Sequence, residues 1–196
     1  MAGNRALSRR VWVLVCALLV AAYVVWISIP ATRQVEGSWV TDFSDRRKLV
    51  GYADAVFVGR VIERTEEVAD LRWPSTRFRV QVLEVIKSTR RLDPSKPDSE
   101  PSRQVSLPSS IIVDQYGGYT RDLNGKLVKV VFDGQELLEP GGTYVLATSY
   151  DADRGWYHVL PMGAVAADDA AARDRAVDSF RQAVAEQVPY EANAAE

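Results

Sequence analysis

The sequence predicts a small, mainly β domain, a barrel or sandwich of five or six short strands with flanking helices, carried behind an N-terminal transmembrane helix. Three observations support this. An uncharged apolar run occupies residues 11–29, short β-branched segments alternate with Gly, Pro and Asn turns between residues 55 and 160, and an Ala-rich amphipathic stretch follows.

Residues 11–29 read VWVLVCALLVAAYVVWISI, nineteen residues without a charge. As a helix they rise about 28 Å, close to the roughly 30 Å of a bilayer's hydrocarbon core. Arg5, Arg9 and Arg10 precede the run with no acidic residue among them, so residues 1–10 are expected in the cytoplasm and everything after Pro30 outside. Trp12 near one end, and Tyr23 and Trp26 near the other, suit the two headgroup belts. A cleaved signal peptide is the competing reading. The run is longer than the usual apolar core of about 7–15 residues, however, and the best cleavage position, after Ala31, has bulky Ile29 three residues before the cut. An uncleaved signal anchor over 11–31 is therefore expected, with Cys16 as a small apolar group inside it.

Residues 32–43 show little periodicity and read as a stalk, with Trp39 available to pack on the domain. Ser44 is placed to cap a short helix over SDRRKLVGYAD, whose apolar contacts are Leu49, Val50 and Ala53. A first strand is expected at 55–63, with Gly59 at a bulge or tight bend. The second, 76–87, alternates Phe78, Val80, Val82 and Val85 or Ile86 inward with Arg77, Arg79 and Gln81 outward. Residues 90–104 hold three prolines and mixed charge and read as an exposed, mobile loop. Strands resume at 105–113, 127–132, 143–149 and 156–160, with Asn124-Gly125 and Pro140-Gly141-Gly142 as turns. The domain thus covers 44–165. A C-terminal helix over 166–188 is marked by Asp168 and Asp169 at its start and by Val177, Phe180, Val184 and Val188 along one side, with Pro189 ending it before the tail 189–196.

Composition narrows the chemistry. Outside residues 1–31 there are 21 basic and 26 acidic side chains, a formal charge of −5, which does not favour nucleic acid or anionic lipid as a partner of the outer domain. A single cysteine rules out an intramolecular disulfide or Cys-rich zinc site. With His158 the only histidine, any His-dependent nucleophile must work through that residue. Phosphate-cradle, dinucleotide and nucleophile-elbow motifs do not occur. No catalytic residue, cofactor or metal ligand is assigned.

The order of pieces, a short helix, YADAVFVGRVIE, FRVQVLEVIKS, a variable polar loop, a strand ending in QYGG, then LLEPGGTYVLATS and a closing WYHVL, resembles bacterial secreted or membrane-anchored domains related to the netrin-like module and the tissue inhibitors of metalloproteinases. The resemblance covers residues 44–163. It implies an OB-like five-stranded barrel flanked by helices and a habit of binding other macromolecules outside the cell. The animal inhibitors chelate a protease zinc through an N-terminal cysteine on a disulfide-braced scaffold, and this chain has neither feature, so that mechanism does not carry over.

Tyr116, Gly117, Gly118, Tyr119 and Arg121 form the candidate contact loop for a partner. Tyrosine offers broad amphipathic area at low entropic cost, and glycine lets a partner's backbone approach. The plain alternative is that the glycines turn the chain and Tyr116 packs on the barrel. Arg72, Trp73, Arg77 and Arg79 make a cationic and aromatic stripe like that of OB-fold oligonucleotide binders, against a solvated strand face. Asp151 and Asp153 in DADRG resemble half a calcium loop but lack its spacing and distal Glu, and read as an acidic hairpin turn. His158 reads as a structural or rim residue, and Asp133, Glu136 and Glu139 have no partner that the sequence fixes.

The expected protein is therefore a single-pass membrane protein presenting an extracytoplasmic, OB-like, non-enzymatic binding domain to a protein or cell-envelope partner. A carboxylate- or Ser/Lys-dependent envelope hydrolase is one alternative, predicting a concave pocket with at least two carboxylates. A structural or regulatory subunit acting through its helices is the other.

Overall fold

The structure, a computed structural model, describes residues 3–39, 41–69, 73–90, 103–132 and 134–190. The elements run α1 (Gly3–Ser28), β1 (Ala31–Val35), α2 (Arg46–Tyr52), β2 (Ala55–Val68), β3 (Ser75–Arg90), β4 (Arg103–Gln104), β5 (Ser110–Tyr116), β6 (Gly118–Arg121), β7 (Leu127–Phe132), β8 (Thr143–Asp151), β9 (Trp156–Ala166) and α3 (Ala170–Ala185). The fold is mainly β, with a six-stranded and a three-stranded sheet.

The larger sheet closes on itself. β2 pairs antiparallel with both β3 and β8, β3 continues to β5, β5 lies parallel to β9, and β9 returns to β8. Ring closure needs strong local bending, and β2 supplies it with four register shifts against β3, one of them between Val58 and Gly59. A side chain at Gly59 would sit 2.5 Å from Val80 Cγ1, so the expected bend lies where only glycine fits.

Alternation then divides the core in two. Ala55, Phe57, Val61, Phe78, Val80, Val113, Leu146 and Val159 fill the ring. Val56, Val58, Val145 and Ala147 point the other way, against Leu49 and Val50 of α2 and Val177 and Phe180 of α3. Both faces of residues 55–59 are buried for this reason. At the end of β3, Ile86 joins the helix-covered core, whereas Val85 is nearly half exposed.

Several boundaries depart from the sequence reading. The stalk opens with β1, which pairs in parallel with β7. Asp45, not Ser44, caps α2 by accepting the Arg47 N–H at 3.0 Å, while Ser44 bonds to Asp42. The strand expected over 105–113 begins only at Ser110; Pro108 has no N–H to give a ladder. β2 runs on past Val61 as an exposed edge strand of β3, whose other side pairs with β5, and is cross-linked to it by Glu63 with Arg79 and Glu66 with Arg77. β9 passes through Met162, whose φ is 57°, and so outlasts the expected end at residue 160. α3 stops at Ala185 with Asp169 as its cap, and Val188, expected on its apolar face, is 41% exposed. Most of the proposed mobile loop (91–102) and the tail from residue 191 lie outside the described residues, as do Arg72 and Asp133.

Among the described residues no helix is long and apolar enough to cross a membrane. The side chains of α1 are described from Trp12 onward. Trp12, Val13, Leu18, Leu19, Val20 and Val25 are each exposed by more than half.

Candidate functional site: a polar row beneath an aromatic platform

Strand register brings together side chains far apart in sequence. Arg77 on β3 lies opposite Asp114 on β5, Asp114 opposite His158 on β9, and Asp151 on β8 opposite Trp156 on β9. The result is a continuous polar row at one end of the ring. Asp114 is 3% exposed, and a buried carboxylate requires partners. Arg77 Nε is 3.4 Å from its Oδ1 and His158 Nδ1 is 3.0 Å from its Oδ2. These are close polar contacts without good hydrogen-bond alignment, and Arg77 Nε, Asp114 Oδ1 and His158 Nδ1 have no aligned partner.

His158 is held from its other side as well. The Trp156 indole N–H donates to Nε2 at 3.1 Å, and Asp151 Oδ2 lies 3.5 Å from the same nitrogen. Burial works against ionisation of Asp151, but the Arg154 N–H, the Arg154 charge and the Asp153 N–H outweigh it and hold the carboxyl below its ordinary range. Arg77 stacks its guanidinium 3.8 Å from the centre of the Trp156 ring, a cation–π contact that also shields the Asp114 pair.

Over this row lies an aromatic surface. Tyr116 stacks on His158 with ring centres 6.1 Å apart and planes 15° apart. Trp73 stacks on Phe132 at 5.3 Å and 14°, and Trp39 meets Tyr116 at 6.4 Å. Trp73 and Tyr116 remain 48% and 38% exposed. Buried Gln115 fastens the floor, donating to the Glu136 carbonyl at 2.9 Å and accepting the Leu138 N–H at 2.8 Å.

The expected contact loop is divided between two places. Tyr116 belongs to the platform. Gly117 and Gly118 are buried: Gly117, at φ 113°, would press a side chain to 2.9 Å from the Val130 carbonyl oxygen, and its own carbonyl accepts from Thr76 at 2.8 Å. Tyr119 and Arg121 sit on β6 in the smaller sheet, where Arg121 donates to the Gly125 carbonyl at 2.7 Å. The segment read as a loop is thus a strand, a tight turn and a strand. In the cationic stripe, Arg77 and Arg79 are each paired with a glutamate. Asp151 turns its own hairpin, Glu136 pairs with Lys129, and the Glu139 N–H donates to the Tyr144 hydroxyl at 3.1 Å. The sequence reading missed Asp114, whose sole signal was a charged residue inside the apolar strand IIVDQY.

A separate cleft of about 540 Å³ lies between α3 and the sheet, lined by Glu84, Asp168, Asp169, Asp174, Asp178 and two arginines among others. Three of these acids have structural work: Glu84 holds Arg173 and Arg181, Asp168 accepts the Thr143 N–H, and Asp169 caps α3. Among the described residues, no three His, Cys, Asp or Glu side chains are grouped to hold a metal ion.

The chain matches no protein-family model and no curated protein.

Proposed function

We propose that this chain is a single-pass membrane protein whose extracytoplasmic, OB-like module binds a protein or cell-envelope partner without catalysis. The observation that carries the reading is the half-exposed platform of Trp73 and Tyr116 set on a rigid polar row. Flat rings fixed by stacking offer contact area with little entropy left to lose. The order of pairing around the ring, with its one parallel pair between β5 and β9, supports an OB-like barrel and agrees with a netrin-like relationship. In that fold ligands meet the face of the second and third strands and the loops after the first and fourth, here β3, β5, the β2–β3 connection and the β8–β9 hairpin. Support for the anchor comes from α1, where apolar side chains exposed on all sides suit lipid and are costly in water.

The hydrolase reading is favoured by the acid-lined cleft and opposed by the structural engagement of its acids. Photocrosslinking of the full-length protein in its own membrane, comparing wild type with Trp73→Ala/Tyr116→Ala, tests the proposal. A partner captured by wild type and lost from the double variant supports it. Capture that is unchanged, or substrate turnover abolished by Asp168→Asn, overturns it.

A further inference from the structure

The end of α1 and the tip of the β6–β7 hairpin lie side by side. Two residues, Ile29 and Pro30, separate the helix from β1, and β1 runs parallel to β7 with Ala31 opposite Val128. The turn that precedes β7 is therefore carried back along the last turn of the helix. The contact is direct, with Lys126 Nζ 4.6 Å from the centre of the Trp26 ring.

That turn is rigid. Asp122 Oδ1 accepts the N–H groups of Asn124 and Lys126 at 2.9 and 2.8 Å, the Asp122 N–H donates to the Lys126 carbonyl at 3.0 Å, and Arg121 braces Gly125. At its tip Leu123 is 97% exposed, the most exposed large apolar side chain among the described residues. Nothing in the packing of the domain uses a leucine there.

We propose that the β6–β7 turn is a second contact with the bilayer, in which Leu123 enters the outer leaflet while Arg121 and Lys126 lie at the phosphate level beside Trp26. The inference rests on the reading of α1 as a membrane anchor. Tryptophan and long basic side chains share the headgroup layer, and an apolar residue next to them gains by entering the acyl boundary. Two attachment points fix the tilt of the domain. β7 runs from this turn to Phe132 in the aromatic platform, so the platform lies at most about 17 Å beyond the turn, five strand steps of roughly 3.3 Å.

The test uses the full-length chain with Cys16→Ala, reconstituted in phosphatidylcholine/phosphatidylglycerol vesicles containing nitroxide-labelled lipid. A nitrobenzoxadiazole probe is placed in turn on Leu123→Cys, on Leu19→Cys in the helix and on Asp153→Cys at the far hairpin. Quenching at 19 and 123 but not at 153, with the signal at 123 falling at least twofold on Arg121→Glu/Lys126→Glu, supports the proposal. If 19 is quenched and 123 behaves like 153, the hairpin contact fails while the anchor stands. If 19 also escapes quenching, the anchor fails and this inference with it. Quenching at 123 that ignores the charge reversal traces to the probe's own apolarity and overturns the proposal.

Discussion

The Trp156 indole donates its N–H to Nε2 of His158, two residues along the same strand, at 3.1 Å. An indole can only donate, so Nε2 must present a lone pair and the neutral ring must carry its proton on Nδ1, facing Asp114. Nitrogen-15 correlation spectra of the neutral ring are expected to show the Nδ1–H tautomer of the protein's one histidine. In Trp156→Phe the lost bond is expected to lower stability by about 1 kcal/mol, read by urea unfolding of the full chain in detergent.

Asp114 depends on Arg77 more than its sequence neighbours suggest. Arg77→Met keeps much of the stem that packs on Trp156 but removes the charge nearest Asp114 Oδ1. Losing one partner of a buried ion pair costs about 3 kcal/mol, whereas Arg79→Met, at an exposed pair, is expected to cost well under about 1 kcal/mol. Equal effects in the two variants would contradict the burial of the row.

Acid should loosen the β8–β9 hairpin. The folded state holds the Asp151 carboxyl below its ordinary range, so it binds that proton less tightly than the unfolded chain does. The resulting stability is fully present above the ordinary carboxylate value, about pH 4, and is lost as pH falls through the lower folded value. Thermal unfolding between pH 6 and about pH 2.5 should therefore show a steeper loss in wild type than in Asp151→Asn, which has no such proton to gain.

Phe180 is fully buried between α3 and the outer face of the ring, with the Arg46 guanidinium 4.7 Å from its ring centre. Phe180→Ala is expected to cost about 3–5 kcal/mol, measured by the same urea titration. A cost below about 1 kcal/mol would mean that α3 is not part of the core.

What could be read in advance followed burial. Phe78, Val80, Val177 and Phe180 alternate or recur with a period that one buried face imposes, and they lie where the pattern puts them. β1 and β6 escaped notice because their residues are mostly polar or small and belong to a sheet whose core is small. The extension of β2 beyond Val61 was missed for a related reason: it is an exposed edge held to β3 by charge pairs across strands, which leave no apolar alternation. The polar row was illegible because it is created by register. Arg77, Asp114, Asp151 and His158 come from four strands, and no spacing along the chain links them.

The seal of the fold is made last. The Val188 N–H donates to the Arg47 carbonyl, Lys87 reaches both the Val50 carbonyl and the Gln187 side chain, and Tyr190 rests edge-on against Tyr52. The residues that follow α3 thus lock the helix that leads into the first strand of the ring. Until they and α3 have docked, the outer face of β2 stays uncovered, so a chain cut before α3 would keep every strand and still present a sticky apolar sheet face for quality control to remove.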